Sequence, residues 1–223
     1  MYTGYCLGVF TVMGLTVLLI NLFVPSLRRR RQVASAASRA FLRVAGIAFT
    51  VEGLERLPQV PCVVVANHAS YIDGLVAAAA LPPDFAFVIK KEMVRVPLAS
   101  LLLRRLGSQF VERFNRHKGG VDARRVLKLA ATGQSLVFFP EGTFNGVAQI
   151  GKFLGGAFTT AARSDMPVVA MAIHGTRAVL PPDRLILHRL PIRVQILEVL
   201  PAGDAKLRSR ELIAAALGEP LAP

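Results

Sequence analysis

The chain has 223 residues, a length that suits one α/β domain. Apolar side chains make up 53% of it, which excludes a disordered chain and indicates a membrane-facing part. The formal net charge of +13 predicts anionic partners, such as acidic lipid headgroups, phosphorylated substrates or nucleic acid. We expect no nucleic-acid partner, because Trp is absent, Tyr is scarce and the Phe residues lie in apolar runs without basic neighbours.

The two cysteines, Cys6 and Cys62, lie in an apolar run and in a predicted buried strand. They are too few for a disulfide framework or a cysteine-based zinc site. This usage favours a reducing, cytosol-facing environment. The sequence predicts neither a metal site nor a cofactor.

The N-terminal segment is predicted to hold the protein on a membrane. Residues 2–24 are almost all apolar, and about 23 residues in a helix reach roughly 34 Å, enough for a hydrocarbon core of about 30 Å. Arg28, Arg29, Arg30 and Arg31 follow this run, whereas a secretory signal peptide carries its charges before it. We therefore predict an uncleaved anchor, either spanning or lying in one leaflet, with the arginines on the cytoplasmic face of the cell membrane.

Residues 32–49 have the pattern of an amphipathic helix. Arg39 and Arg43 share one helical face, and the apolar face is formed by Phe41, Leu42, Val44 and Ile47. This pattern fits an interfacial helix on the membrane and equally a surface helix docked on the core. We predict an N-terminal unit, 1–45, made of anchor and interfacial helix, and one domain over 46–223.

Beyond residue 47, short β-branched runs alternate with helical stretches. This alternation indicates an α/β fold with a mostly parallel sheet flanked by helices. The predicted strands are 49–52, 62–66, 85–89, 109–112, 136–139, 168–173 and 194–199. The predicted helices are 75–80, 98–106, 121–132, 153–163 and 205–217.

A candidate catalytic pair follows the second strand, in the run Asn67-His68-Ala69-Ser70-Tyr71-Ile72-Asp73. Catalytic groups of α/β sheets tend to lie beyond the carboxyl ends of strands. Asp73 could hold one ring nitrogen of His68 while the other faces a cleft, which would make His68 a general base. Alternatively, Asp73 only caps a helix and His68 only lies in a turn. The pair alone does not decide between the catalytic and the structural interpretation.

A second motif, Pro140-Glu141-Gly142-Thr143, follows the strand at 136–139. A carboxylate at this place is costly to bury without a role, and glycine lets the backbone approach a ligand closely. Glu141 is therefore a candidate site residue. A helix-end or salt-bridge role is the alternative.

Together, the Asn67–Asp73 motif and Phe139-Pro140-Glu141-Gly142-Thr143, about seventy residues later, resemble the glycerolipid acyltransferase family, which includes 1-acylglycerol-3-phosphate acyltransferases. Between them, Lys90-Lys91-Glu92-Met93 with Pro97 resembles the family's Lys-x-Glu-Leu and proline segment. The segment from Gly107 to Arg113 resembles the block that ends in a substrate-binding arginine, and Pro167 to Ile173 resembles the family's fourth block. The resemblance covers roughly residues 45–200.

The resemblance implies that residues 46–223 are an acyltransferase domain. It would move an acyl chain from an acyl thioester, on coenzyme A or an acyl carrier protein, to the hydroxyl of a lysolipid, with 1-acylglycerol-3-phosphate as the first candidate. His68 would take the hydroxyl proton while Asp73 orients it, and Lys90 or Lys91 with backbone N–H groups near Gly142 would stabilise the oxyanion. The implied substrate-binding residues are Asn67, Lys90, Lys91, Arg113, Glu141, Gly142 and Thr143, with Arg177 as a further phosphate or donor contact.

The sequence departs from the family pattern in two places. Phe144-Asn145 stand where relatives commonly have Arg or Ser-type residues, which weakens the expected recognition of an acceptor phosphate, and Ala170 replaces a proline. The alternatives are therefore another lysolipid acceptor, or a membrane-bound lipid-binding protein that keeps the fold without turnover. A Ser70-based hydrolase is disfavoured because the chain has no G-x-S-x-G elbow.

Overall fold

The computed structural model of the protein describes residues 1–112, 116–144 and 146–222. Within these ranges one seven-stranded sheet has the order β1-β7-β6-β2-β5-β3-β4. Its strands are β1 Phe49–Glu52, β2 Val63–Ala66, β3 Phe85–Lys90, β4 Gln109–Val111, β5 Ser135–Phe138, β6 Val168–His174 and β7 Ile192–Leu200. Neighbouring strands run parallel except β6 and β7, which are antiparallel. The predicted α/β fold with a mostly parallel sheet is confirmed.

Helices cover both faces of the sheet. They are α1 Tyr2–Phe23, α2 Leu27–Val44, α3 Asp73–Ala80, α4 Pro97–Arg105, α5 Arg116–Ala131, α6 Gly156–Arg163, α7 Thr176–Val179 and α8 Ala205–Leu217. Short 3₁₀ helices lie at Leu54–Arg56 and Lys91–Arg95. The sequence patterns did not predict α7 or the two 3₁₀ helices, which are too short to show a hydrophobic period.

The position of β2 at the centre of the sheet explains why its sequence is a continuous apolar run. All four residues of β2 are buried, because the strand lies between β6 and β5 and helices cover both of its faces. Val64 and Ala66 pack into the core with α2 and α3. Val63 and Val65 pack on the other face, with α5, α6 and α8. This central strand carries the Asn67–Asp73 motif at its carboxyl end.

Helix α1 lies against the rest of the protein. It is long and apolar enough to cross a membrane, with a mean hydropathy of 2.2, and only 22% of its most apolar window is buried. The Tyr2 hydroxyl donates to the Ala45 carbonyl at 2.8 Å, and Cys6 is fully buried. At the other end, the Arg105 guanidinium donates to the carbonyls of Asn21 and Leu22. The opposite face of α1 exposes large apolar side chains, among them Leu15, Leu19 and Phe23.

Helix α2 docks on the core. Its Phe41 and Leu42 side chains are buried beside α3, and the Arg39 guanidinium donates to the Ala79 carbonyl at 2.6 Å. Arg31 is only 8% exposed and donates to the Leu106 carbonyl at 2.9 Å. The helix ends at Val44, before the predicted end at 49. The division of the chain at residue 45 stays a prediction.

Candidate active site

Four neighbouring strands bring their carboxyl ends to the same edge of the sheet. The central strands β6, β2, β5 and β3 are adjacent and parallel, so the residues that follow them share this edge. The Asn67–Asp73 turn follows β2, and Pro140–Thr143 follows β5 almost directly. The two sequence motifs are therefore neighbours in space.

His68 and Asp73 form a hydrogen-bonded pair. The Nδ1 atom of His68 lies 2.8 Å from Oδ2 of Asp73, whose side chain is completely buried at the start of α3. An ionised carboxylate only accepts, so the tautomer that satisfies this contact carries its hydrogen on Nδ1 and leaves Nε2 as the acceptor. A neutral imidazole in this state is equipped to remove a proton.

The Asp73 carboxylate is fixed by the backbone of the turn. Its Oδ2 atom also accepts the N–H of Ala69 at 2.6 Å and the N–H of Ser70 at 2.8 Å. The Oδ1 atom is buried and has no hydrogen-bond partner among the described residues. The three donors around Oδ2 compensate the cost of burying the charge and hold the carboxylate in one orientation.

The Ser70 side chain takes no part in the pair with His68. It is fully buried, and its hydroxyl donates to the Leu180 carbonyl at 2.7 Å. This contact ties the turn to the segment after α7. The geometry gives no support to a Ser-His-Asp hydrolase.

Glu141 bridges the two motifs. Its Oε1 atom accepts the backbone N–H of His68 at 2.8 Å, and its Oε2 atom accepts the backbone N–H of Gly151 at 2.7 Å. Burial raises the pKa of Glu141, while these two N–H groups and the nearby His68 ring oppose the rise. The arrangement fixes the backbone of the residue that carries the imidazole.

Asn67 ties the start of the turn to β6. It is 2% exposed, and its side-chain amide donates to the Ile173 carbonyl at 3.0 Å and accepts the Ile173 N–H at 2.8 Å. These contacts extend the pairing of β2 with β6 by one residue. The substrate contact predicted for Asn67 stays a prediction.

The other predicted site residues have separate surroundings. Lys90 ends β3 at the same edge as the motifs, Lys91 begins the next 3₁₀ helix, and both are half-buried.

Gly142 has a positive φ of 79° and donates its N–H to the Phe139 carbonyl at 3.1 Å, which makes the turn after β5. Thr143 is exposed. Arg113 lies outside the described residues.

Arg177 lies in α7, at the edge that β6 reaches. Its guanidinium pairs with the Glu219 carboxylate through two contacts, of which the Nη2–Oε2 distance is 3.1 Å. The side chains of the two residues are 22% and 16% exposed. The predicted phosphate or donor contact is thus already occupied by an acidic partner from the chain itself.

Aromatic rings flank the imidazole. The Phe139 ring stacks on His68 with centroids 4.7 Å apart, and the Phe144 ring meets His68 edge-on at 4.4 Å. The Tyr71 ring contacts Phe144 at 4.9 Å. Sequence reasoning missed the roles of Phe139 and Tyr71, although both lie inside the two motifs. It also missed Gly151, for which the sequence offers no signal beyond a glycine in a loop.

The geometry defines an α/β protein with a His-Asp pair at the carboxyl edge of its sheet. The family model described as Acyltransferase matches residues 48–174, more than half of the chain and the part that contains both motifs. The chain therefore belongs to the acyltransferase family.

Several curated proteins are similar in sequence. A chloroplastic 1-acyl-sn-glycerol-3-phosphate acyltransferase of Brassica napus is 31% identical over 160 residues, which cover 70% of this chain and 46% of the relative. A 1-acyl-sn-glycerol-3-phosphate acyltransferase of Pseudomonas aeruginosa is 31% identical over 131 residues, covering 58% of this chain and 50% of the relative. The chain thus spans about half the length of these relatives.

The fold has a counterpart among solved structures. The 1-acyl-sn-glycerophosphate acyltransferase PlsC from Thermotoga maritima superimposes with a TM-score of 0.76, covering 96% of this chain and 91% of the other at 22% identity. The two proteins share the fold over nearly their full lengths.

Proposed function

We propose that the protein transfers a fatty acyl chain from an acyl thioester to the free hydroxyl of a lysolipid, with 1-acylglycerol-3-phosphate as the acceptor and phosphatidate as the product. The donor is acyl-coenzyme A or an acyl carrier protein, and the reaction belongs to phospholipid synthesis. The observation that carries the proposal is the 2.8 Å contact between Nδ1 of His68 and Oδ2 of Asp73, at the strand edge where Glu141 joins the second motif.

The reaction needs one proton acceptor and no covalent acyl-enzyme intermediate. Nε2 of His68 removes the proton from the acceptor hydroxyl, and the resulting oxygen attacks the thioester carbonyl. The tetrahedral intermediate collapses by breaking the carbon–sulfur bond, and the imidazolium returns its proton to the thiolate, which leaves as a thiol. The buried Asp73 carboxylate stabilises the imidazolium between these steps.

Substrate binding is assigned to the cations and backbone around this pair. Lys90 or Lys91 stabilises the oxyanion, and Arg113 binds the acceptor phosphate. Thr143 and Gly142 shape the acceptor pocket beside the turn after β5. Asn67 and Glu141 act on the backbone that forms this pocket, since their side chains bond to Ile173, His68 and Gly151.

A membrane supplies the acceptor. We place the protein on the cytoplasmic face of the cell membrane, with the exposed face of α1 in the lipid and the exposed Arg28 and Arg29 near the headgroups. The contacts of α1 with Ala45 and Arg105 favour a helix that lies in one leaflet over one that spans. A lysolipid then reaches His68 by lateral diffusion.

The test is mass spectrometry of products formed by the purified full chain. It would receive a panel of lysolipids with acyl-coenzyme A or acyl carrier protein as donors, and the His68→Ala variant would be the control. Phosphatidate formed by the wild type and not by the variant supports the proposal. If only phosphate-free lysolipids are acylated, the proposed acceptor is wrong. Binding of lysolipids without any acylation would indicate a lipid-binding protein.

A further inference from the structure

The segment Glu219–Ala222, here called the C-terminal segment, lies against the loop that follows the second motif. The Ile150 N–H donates to the Pro220 carbonyl at 2.9 Å, and the Ala222 N–H donates to the Ile150 carbonyl at 2.9 Å. Ile150 and Leu221 pair as an isolated parallel bridge. Ile150 is 1% exposed and belongs to the core, whereas Leu221 is 40% exposed.

One arginine of α8 holds both sides of this bridge. The Arg210 guanidinium donates to the Gly151 carbonyl at 2.8 Å, to the Ile150 carbonyl at 2.9 Å and to the Ala222 carbonyl at 2.5 Å. A cationic donor makes stronger hydrogen bonds than a neutral one, and its planar fork fixes the three acceptors relative to one another. Arg210 therefore fixes Gly151 against the C-terminal segment.

The other end of the segment is anchored by Glu219. Its carboxylate pairs with Arg177 in α7, directly after β6, and both side chains are largely buried. Removing one partner from a pair of this kind leaves the other charge uncompensated. The C-terminal segment is thus fixed both to α8 and to the edge of the sheet that carries the candidate active site.

Gly151 connects this arrangement to the imidazole. Its N–H donates to Oε2 of Glu141 at 2.7 Å, and Oε1 of Glu141 accepts the His68 N–H at 2.8 Å. A Cβ atom at Gly151 would lie 3.0 Å from Oε2 of Glu141, so the loop and the carboxylate are in close contact. A displacement of the loop moves Glu141, and Glu141 holds the backbone of His68.

We propose that Arg210 and Glu219 are positioning residues for acyl transfer, which hold the Ile150–Gly151 loop so that Glu141 fixes the backbone of His68. This inference rests on the proposed function for its kinetic consequence. The structural claim, that Arg210 and Glu219 hold the Ile150–Gly151 loop, does not depend on which reaction occurs. A misplacement of the base lowers the turnover number more than it raises the Michaelis constant, because proton removal depends more steeply on the position of Nε2 than binding of the acceptor does.

The test compares Arg210→Met and Glu219→Gln with Arg208→Met. Arg208 lies on the same helix and pairs with Glu198 in an exposed ion pair, so it is a matched control for the loss of a charge. With lysophosphatidate and an acyl-coenzyme A, we expect kcat to fall about tenfold in the first two variants, with KM changed by less than about twofold. Arg208→Met should keep wild-type kinetics, and Arg210→Lys should recover part of kcat.

A second readout reports on the backbone of His68 directly. The chain has 4 histidines, so histidine labelled with ¹⁵N gives few amide signals, and His68→Ala identifies the one from His68. We expect this signal to move in Arg210→Met and Glu219→Gln and to stay in Arg208→Met, all in the full chain in detergent micelles. Because the signal needs no turnover, it tests the inference even if the protein proves not to acylate lysolipids.

Gly151→Ala tests the same connection without removing a charge. The new methyl group presses on Glu141, and we expect the His68 amide signal and kcat to change while the thermal midpoint stays close to that of the wild type. Folded variants with an unmoved His68 signal, or a kcat loss equal to the loss of folded protein, would overturn the inference. If Arg210→Met does not fold, Gly151→Ala decides.

Discussion

The backbone N–H of His68 and the Oε1 atom of Glu141 lie 2.8 Å apart, although the two residues are separated by 73 positions in the chain. Val63, Val64 and Val65 of β2 pair in parallel with Leu136, Val137 and Phe138 of β5. This register brings the turns after the two strands side by side. The second motif therefore acts on the first through the main chain, in addition to any contact with substrate.

His68 is expected to be indispensable for turnover. The His68→Ala variant should lose about two to four decades of kcat, the usual range for a general base. Its thermal midpoint should change little, because the turn keeps the Asp73 contacts with Ala69 and Ser70. Steady-state kinetics with thermal unfolding of the same preparation checks this. More than a tenth of wild-type turnover would contradict the assignment.

Asp73→Asn should keep the geometry of the site and lose the charge. The Oδ2 atom of Asp73 faces three donors, whereas Oδ1 has no partner among the described residues. An asparagine oxygen would take the Oδ2 position, and the Nδ1–H tautomer of His68 would be retained. We expect kcat to fall about ten- to a hundred-fold, equivalent to one charge-assisted hydrogen bond of about 1.5–3 kcal/mol. A loss of about four decades would indicate the wrong tautomer instead.

Glu141 should make stability depend on pH. Burial raises the pKa of its carboxyl above the ordinary 4.5, so the folded protein keeps this proton to a higher pH than the unfolded chain does. The contribution of this group to the free energy of unfolding is present below pH 4.5 and is lost as the pH rises through the raised pKa. Thermal midpoints measured across this range should fall more in the wild type than in Glu141→Gln. Glu55→Gln, at an exposed position, should follow the wild type, and parallel curves for all three proteins would refute the prediction.

The exposed face of α1 should hold the protein on lipid independently of salt. Leu19 and Phe23 are 58% and 85% exposed, and burying each in lipid contributes about 1.5–3 kcal/mol. Sedimentation with anionic vesicles in about 1 M salt, where the Debye length is about 3 Å, should retain the wild type. Leu19→Glu with Phe23→Glu should be released, while Leu207→Glu on α8, which is 62% exposed in the wild type, should stay bound. Release of the wild type by salt would mean that charge alone attaches it.

Phe144 should set the preference for the acceptor headgroup. Its ring lies 4.4 Å from that of His68, so a cation at this position would be close to the phosphate of a bound lysolipid. Phe144→Arg should lower KM for lysophosphatidate about ten- to a hundred-fold relative to lysophosphatidylcholine, since one charge-assisted contact is gained. Phe144→Leu, which adds no charge, should leave the ratio unchanged. Equal ratios in all three proteins would show that this position does not contact the headgroup.

The main elements of the fold could be predicted because their residues carry strong periodic signals. The Val63-Val64-Val65 run of β2 and the apolar run of β5 differ from prediction by only one residue at their ends. Helix α6 begins at Gly156, later than the predicted 153, because Phe153 enters the core before the helix starts. The antiparallel direction of β7 follows from the irregular connection after α7. No hydrophobic pattern in the sequence predicts this direction.

The part of the site that follows neighbouring strands could be predicted from the sequence. The approach of His68 and Glu141 follows from two motifs that each end a buried strand. The contacts of Glu141 with Gly151, and of Gly151 with Arg210, join segments with no common pattern, so only tertiary structure brings them together. Residues 32–49 left two interpretations open. The hydrogen bond from Arg39 to the Ala79 carbonyl shows that α2 docks on the core, and its contact with a membrane stays a prediction.

The two ends of α1 are fixed by parts of the chain that are synthesised much later. The Thr3 hydroxyl accepts the N–H of Leu187, 184 positions further on, and the carbonyl of Asn21 accepts from Arg105, 84 positions away. At about 5–20 residues per second, the Leu187 partner leaves the ribosome roughly 10 to 40 seconds after Thr3. Throughout that interval the domain against which α1 packs is incomplete. Under the proposed attachment to a membrane, α1 would therefore enter lipid before the site that it serves exists.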